Sequence, residues 1–327
     1  MVGRAHLAHH RGLRRLLPLI AAVVLVIASA PPVAALSGDY PNASAGNRGA
    51  NVRALQSLLR DHGAMIGVTG VFDSPTVAAI QAFQAERGLT VNGQAGSLTW
   101  SALVVRLETG SSGEAVTGLK RLLNEKRRTK LALTGEYDIA VATAVSAFQA
   151  HARLVVTGVA DAGTWRALLA HLELPAFGST LCDYSVGNGT ANWGTAAAIG
   201  QLEAAASSLR RAGISRPAVG DLGFEHGGDI AGHQSHEQGL DVDLRPMRRD
   251  DRQCSWGTNW RSSTYDRSAT RALVRAIRAT APGHVKVIYF NDPTLVREGL
   301  TRWYSGHDDH LHVRYCERVH PLAAYRC

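Results

Sequence analysis

The 327-residue sequence has few lysines, no cysteine before residue 182, and an N-terminal apolar run too short to cross a membrane. Only four of its 35 basic residues are Lys. Together with abundant Ala this resembles the residue usage of a GC-rich genome, so we infer no anionic partner from it. A composition of 45% hydrophobic and 19% charged residues excludes a disordered or collagen-like chain. The length allows two or three small domains.

The N-terminus has the order of segments found in a secretory signal peptide. Four Arg residues precede the uncharged run Leu16–Ala30, and the small residues Val33–Ala35 follow it. We therefore predict a signal peptide over residues 1–35, exported by the general or the twin-arginine route. An uncleaved anchor is the alternative, but 15 apolar residues interrupted by Pro18 fall short of the ~20 that span a bilayer. We expect a secreted protein in the cell wall or an equivalent of the periplasm, without membrane association after cleavage.

Export also affects how the net charge and the cysteines are interpreted. Removing residues 1–35, which carry four Arg and no acidic residue, lowers the formal net charge from +8 to +4. A mildly positive net charge suits binding to an anionic wall, and it gives no reason to expect a nucleic-acid partner. The four cysteines form no Cys-x-x-Cys pair, so we predict two disulfides, with a free thiol as the alternative. All three pairings stay open for these cysteines: Cys182, Cys254, Cys316 and Cys327.

A tandem duplication occupies residues 46–170. Residues 49–59 match residues 113–123 at an offset of 64, and residues 69–100 match residues 134–165 at an offset of 65. Apolar residues recur every three or four positions, which predicts three amphipathic helices in each copy. We expect Trp100 and Trp165 to be core residues rather than ligand contacts.

The shared pattern resembles the three-helix peptidoglycan-binding domain of bacteria. It consists of a Gly-x-x-Val-x-x-Leu opening, a Thr-Gly turn, a Phe-Gln helix and a Thr-Trp ending. This resemblance implies peptidoglycan as the partner of repeat 1, residues 45–106, and repeat 2, residues 108–171. The second copy has Lys120 in place of Gln56 and carries Gly118 in its first helix. We therefore expect repeat 2 to be the weaker binder.

Histidines and aspartates cluster in two segments of the remaining chain, residues 176–327. The first runs from Gly232 to Asp243 and the second from His307 to Val313. On a strand, residues two apart share a face, so His310 with His312 and Asp241 with Asp243 would each form a pair. A turn at Gly239 would fold His236 back over the aspartates. Two imidazoles and one carboxylate suit Zn²⁺ and leave a fourth position for water.

The two segments together resemble the penicillin-insensitive murein endopeptidases, within the wider group of lysostaphin-type and D-Ala-D-Ala zinc peptidases. Three resembling positions are zinc ligands in that family: His236, Asp243 and His312. The resemblance also assigns His310 as general base or transition-state stabiliser, His307 as an accessory active-site histidine, and His233 as a ligand of a possible second metal. The family's further metal-associated pair, Asp-x-x-His, has no counterpart between residues 244 and 306.

Three further residues have supporting roles in this interpretation. Asp309 is the rival base, because the carboxypeptidase branch has an acid three residues before the last ligand. Asp241 and Ser235 are predicted to hydrogen-bond to the ligating histidine and orient it. The expected fold is multidomain: two all-α repeats, then an α+β zinc peptidase domain with a mainly antiparallel sheet.

The predicted function is a monomeric, secreted, zinc-dependent murein endopeptidase that cuts peptide cross-links while its repeats hold it on the wall. Two alternatives stay open. One is a D,D- or L,D-carboxypeptidase acting on stem peptides, and the other is a non-catalytic wall-binding protein.

Overall fold

Each repeat is a bundle of three helices in the computed structural model of this protein. The structure describes residues 40–185, 191–233 and 235–327. The predicted signal peptide, residues 1–35, lies outside the described residues. Within them, no helix has the length and apolarity that crossing a membrane requires. The helices of repeat 1 are α1 (Ala50–Asp61), α2 (Ser74–Glu86) and α3 (Ser97–Leu103), and those of repeat 2 are α4 (Glu114–Arg127), α5 (Ile139–His151) and α6 (Ala162–Ala170).

The repeats share one core, and their tryptophans lie inside it. Trp100 and Trp165 are both fully buried, as predicted. Each indole donates to a backbone carbonyl, that of Pro41 and that of Val105, at 2.9 and 2.8 Å. The buried polar atom of each ring is therefore satisfied.

Both sequence differences of repeat 2 affect packing inside the repeats. Gln56 is buried, donates to Thr69, Thr76 and the Val71 carbonyl, and accepts from the Gly70 amide. It therefore ties the Thr-Gly turn to α2, and Lys120 makes the corresponding contact with Thr134 at 2.8 Å. Gly118 lets α4 approach α1, because a Cβ there would lie 2.9 Å from the Cβ of Ser57. Neither difference is on an exposed binding surface.

Among its described residues, the C-terminal domain has a sheet of five strands in the spatial order β1 (Cys182–Asp183), β2 (Ala218–Val219), β3 (Asp241–Leu244), β5 (Leu311–Tyr315) and β4 (Val285–Tyr289). The pair β1–β2 is parallel and the other three pairs are antiparallel. The predicted fold class is therefore confirmed.

Two amphipathic helices, α7 (Ala196–Arg211) and α8 (Arg267–Thr280), pack against each other in this domain. Their apolar residues form a second core with the buried residues of β3 and β5. The short helix α9 (Pro293–Arg297) and a 3₁₀ turn (Ala323–Tyr325) complete the fold. Disulfides join Cys182 to Cys254 and Cys316 to Cys327. The prediction of two disulfides is confirmed, and the structure selects one of the three pairings.

Repeat 1 packs directly on the C-terminal domain through helix α7. Gly49 and Gly200 meet there, and a Cβ on Gly200 would lie 2.6 Å from both Cα and N of Gly49. Arg48 donates to the Thr280 carbonyl at 2.9 Å. One ring nitrogen of His284 lies 3.0 Å from the Ala45 carbonyl. This contact depends on two backbones that approach without side chains between them.

We predict that Gly200→Ala destabilises the protein. The added methyl group collides with backbone atoms of Gly49, which cannot move aside as a side chain can, and overpacking of this kind costs about 1–3 kcal/mol. Helix propensity alone would give the opposite sign, since Ala is favoured over Gly inside a helix by about 1 kcal/mol. Denaturant unfolding, which measures the free energy of unfolding, distinguishes these two expectations. The control is Gly67→Ala, where the nearest atom to the new Cβ is 3.5 Å away; stability of Gly200→Ala equal to or above the parent would contradict the packing account.

Candidate active site

The pairing of β3 with β5 brings together the two segments that the sequence singled out. In this antiparallel pair Asp243 lies opposite His312, and Asp241 lies opposite Arg314. Leu311 and Val313, the neighbours of His312, are fully buried in the domain core. The alternation of β5 thus packs its apolar residues in the core and turns His312 to the other face.

His236 reaches the same place from the loop before β3. Its backbone has a φ of +80°, in the left-handed region that is costly for a non-glycine residue. The His236 amide donates to Oδ2 of Asp241 at 3.2 Å, and its ring Nδ1 donates to the Leu222 carbonyl at 3.2 Å. The ring is completely buried. These bonds fold the loop back over the aspartates and leave Nε2 of His236 with a lone pair.

Three ligand atoms converge at this point. Nε2 of His236 lies 3.2 Å from Nδ1 of His312 and 3.4 Å from Oδ1 of Asp243. Nδ1 of His312 lies 3.1 Å from the same carboxylate oxygen. Ligands about 2.0–2.1 Å from a tetrahedral zinc ion are roughly 3.3 Å apart. The three residues predicted as zinc ligands therefore have the spacing and the donor types that fit such an ion.

Asp241 fixes the orientation of the His312 ring. Nε2 of His312 donates to Oδ1 of Asp241 at 2.8 Å, so Nδ1 is the nitrogen that faces His236 and Asp243. The same carboxylate accepts from Nε of Arg314 at 2.7 Å and from the hydroxyl of Tyr325 at 2.6 Å. Asp241 thus bonds to the nitrogen of His312 that faces away from the other two predicted ligands. Metal sites commonly have an orienting carboxylate in this position.

The electrostatics of the cluster favour positive charge between the carboxylates. Burial lowers the pKa of His312, but hydrogen bonds and charges of Asp241 and Asp243 outweigh burial and raise the pKa to about 9. Burial likewise opposes ionisation of both aspartates. Hydrogen bonds from the histidines nevertheless hold the pKa of Asp241 and of Asp243 well below the usual range. Both carboxylates are therefore charged at neutral pH.

His233 adds a further potential ligand beside this cluster. One ligand atom from each of His233, His236 and Asp243 lies within 4.8 Å of the others, so this group could also hold a metal ion. Nδ1 of His233 is 3.7 Å from Asp243, and its Nε2 donates to Oδ2 of Asp221 at 3.1 Å. The ring is therefore linked to the carboxylates on both sides.

The remaining predicted residues line one large groove over the sheet. The groove has a volume of about 1430 Å³, and residues 232–243 and 307–313 both contribute to it. His310 is half-buried, and its Nδ1 donates to Oδ1 of the exposed Asp309 at 3.0 Å. His307 is 4.6 Å from His310 between ring centres, and burial lowers its pKa. Ser235 lies on the groove wall.

Sequence reasoning missed several residues that support the site. Tyr325 reaches Asp241 from the C-terminus, and no local motif signals this contact. The sequence assigns no role to Asp221, because its bond to His233 depends on the course of the loop between them. Tyr184 lines the groove, and burial raises its pKa above its usual value.

Two known protein families match this chain, one in the repeats and one in the C-terminal domain. Residues 48–103 and 112–168 match the putative peptidoglycan binding domain, and residues 172–289 match the penicillin-insensitive murein endopeptidase. Two peptidoglycan-binding domains precede a murein endopeptidase domain. The predicted arrangement is confirmed. The endopeptidase match ends at residue 289, so His307, His310 and His312 lie beyond it.

Solved structures share similarity with parts of the chain. One is a peptidoglycan-binding protein from Clostridioides difficile in complex with glutamine hydroxamate: 34% identity over 20% of this chain and 40% of that one, with a TM-score of 0.19. Another is the Burkholderia AP3 phage endolysin: 31% identity over 32% of this chain and 36% of that one, with a TM-score of 0.20. Both matches therefore span well under two thirds of the solved chains. No curated protein matches this chain.

We predict that Asp241→Asn weakens Zn²⁺ binding by about 10- to 100-fold, the usual effect of losing an orienting carboxylate. The amide lacks the negative charge that attracts Nε2–H of His312 and the Arg314 guanidinium. Competition with a chromophoric chelator measures the affinity. Asp309→Asn is the matched control, because Asp309 is exposed and contacts His310 rather than a predicted ligand. Equal affinities for the parent and Asp241→Asn would refute the orienting role.

Proposed function

We propose that this protein is a secreted zinc-dependent murein endopeptidase, which hydrolyses peptide cross-links of peptidoglycan while its repeats hold it on the wall. One observation carries the proposal. His236, Asp243 and His312 present three ligand atoms 3.1–3.4 Å apart, and Asp243 and His312 line the same groove as His310 and His307. The family matches of the repeats and of residues 172–289 support wall peptides as the substrate.

In the proposed reaction, the histidines of the groove accept and donate the proton. A zinc ion held by His236, Asp243 and His312 would polarise the scissile carbonyl and lower the pKa of a nearby water molecule. His310 donates from Nδ1 to Asp309, so its Nε2 has a lone pair that accepts a proton and later delivers it to the leaving amine. Nδ1 of His307 donates to the Ser305 carbonyl, which likewise leaves its Nε2 available next to His310.

The groove favours an endopeptidase over a carboxypeptidase. Its volume of about 1430 Å³ exceeds the ~300–1,000 Å³ typical of small-molecule pockets, so it can hold peptide on both sides of a scissile bond. A carboxypeptidase also needs a cation for the terminal carboxylate. The three arginines of the groove already have partners: Arg245 lies over the Tyr184 ring, Arg248 pairs with Asp250, and Arg314 pairs with Asp241.

The repeats would raise the local concentration of substrate without contributing to the site. Binding to the polymer converts the encounter with each cross-link into an intramolecular one. We propose residues 45–106 and 108–171 as the wall-binding units, residues 176–327 as the catalytic unit and residues 1–35 as the export signal. The protein would act as a monomer.

Mass spectrometry of fragments released from cross-linked peptidoglycan tests the proposal. With Zn²⁺, the protein should convert dimeric muropeptides into monomers. A chelator or His236→Ala should abolish the conversion, and His310→Ala should slow it by about 10²–10⁴-fold, as for other general acid–base residues. Asp309→Asn should slow it less.

Sedimentation with the wall is the control, because these substitutions lie outside the repeats and should leave it unchanged. Loss of a terminal residue alone would replace the proposal with a carboxypeptidase. Wall binding without any new fragment would make the protein a non-catalytic binder.

A further inference from the structure

A second group of metal-ligating side chains lies where repeat 2 meets the catalytic domain, away from the groove. We call it the junction cluster; its members are His151, Glu225 and His226. One ligand atom from each lies within 4.8 Å of the other two. His151 is the last residue of α5, whereas Glu225 and His226 belong to the loop that leads to His233. The cluster therefore joins two domains.

The junction cluster contains a buried nitrogen that has no hydrogen bond. Nε2 of His151 is inaccessible to solvent and makes no hydrogen bond among the described residues. Oε1 of Glu225 is only 2.9 Å away, within ion-pair distance. The short distance and the missing hydrogen bond are consistent if Oε1 of Glu225 lies outside the direction in which Nε2–H of His151 would point. A buried nitrogen without a hydrogen bond needs an explanation, and a metal ion bound at Nε2 of His151 would supply one.

Neighbouring side chains hold Glu225 in place. Nη1 of Arg127 donates to Oε1 of Glu225 at 2.7 Å, and Oε2 of Glu225 lies 4.0 Å from Nε2 of His226. Nδ1 of His171 donates to the Leu172 carbonyl at 2.5 Å. Its Nε2 therefore carries the lone pair and accepts from Nη1 of Arg127 at 3.4 Å, so His171 helps to hold the guanidinium beside Glu225. The positive charge of Arg127 opposes a cation, so affinity must come from the imidazoles.

We propose that His151, Glu225 and His226 bind a divalent transition metal ion and so fasten repeat 2 to the catalytic domain. Imidazoles with one carboxylate select zinc-type ions over Mg²⁺ or Ca²⁺. Tetrahedral ligands lie roughly 3.3 Å apart, so the cluster must contract. The His226 side chain is 68% exposed and can move to close it. The ion would hold the loop that carries His233 and His236.

The zinc content of the protein tests this proposal. After dialysis against buffered free Zn²⁺, elemental mass spectrometry should find one zinc fewer in His226→Ala than in the parent. The exposed position of His226 means that folding is not disturbed. His62→Ala, a histidine of repeat 1, is the matched control and should retain the zinc content of the parent. Equal zinc content in His226→Ala and the parent would overturn the proposal.

The same comparison in a His236→Ala background separates this site from the groove. Adding His226→Ala should again remove one zinc, whether or not the groove still binds zinc. The experiment therefore distinguishes a groove that binds no zinc from a junction cluster that binds none. As a second measurement, Zn²⁺ should raise the unfolding temperature of His236→Ala in a concentration-dependent way. If adding His226→Ala leaves that rise unchanged, the junction cluster does not bind the ion.

Discussion

The antiparallel pairing of β3 with β5 is the constraint on which the site depends. It sets Asp243 opposite His312, while the neighbours of His312 on β5, Leu311 and Val313, anchor the register in the core. A slip of one residue would turn His312 toward the core and expose the apolar residues. The hydrophobic effect that stabilises the domain therefore also determines which imidazole faces the carboxylate.

Asp241 connects this register to the C-terminus of the chain. It accepts hydrogen bonds from the His236 amide, from the His312 ring and from Tyr325. Tyr325 lies in the loop closed by the Cys316–Cys327 disulfide, directly after β5. The disulfide thus restricts the segment that places the tyrosine hydroxyl. Disrupting the hydrogen bonds of a buried carboxylate with this many donors costs free energy, so Asp241 holds His236 and His312 in a fixed geometry.

The sequence predicted those features that repeat or that follow from strand alternation. The offset of the two copies predicted six helices, and the spacing of His310 with His312 and of Asp241 with Asp243 predicted two strands that carry the site. Contacts between segments distant in sequence left no such signal. The disulfide pairing, the Tyr325 contact and the approach of Gly49 to Gly200 depend on the packed structure. The junction cluster was missed because His151 and Glu225 lie in different domains.

Anomalous diffraction at the zinc edge, from crystals grown with Zn²⁺, tests the central claim most directly. We expect a zinc peak at about 2.0–2.2 Å from each of three atoms: Nε2 of His236, an oxygen of Asp243 and Nδ1 of His312. His312 should keep its Nε2 hydrogen bond to Asp241. A groove without a zinc peak, or a zinc ion bound through Nε2 of His312, would contradict it.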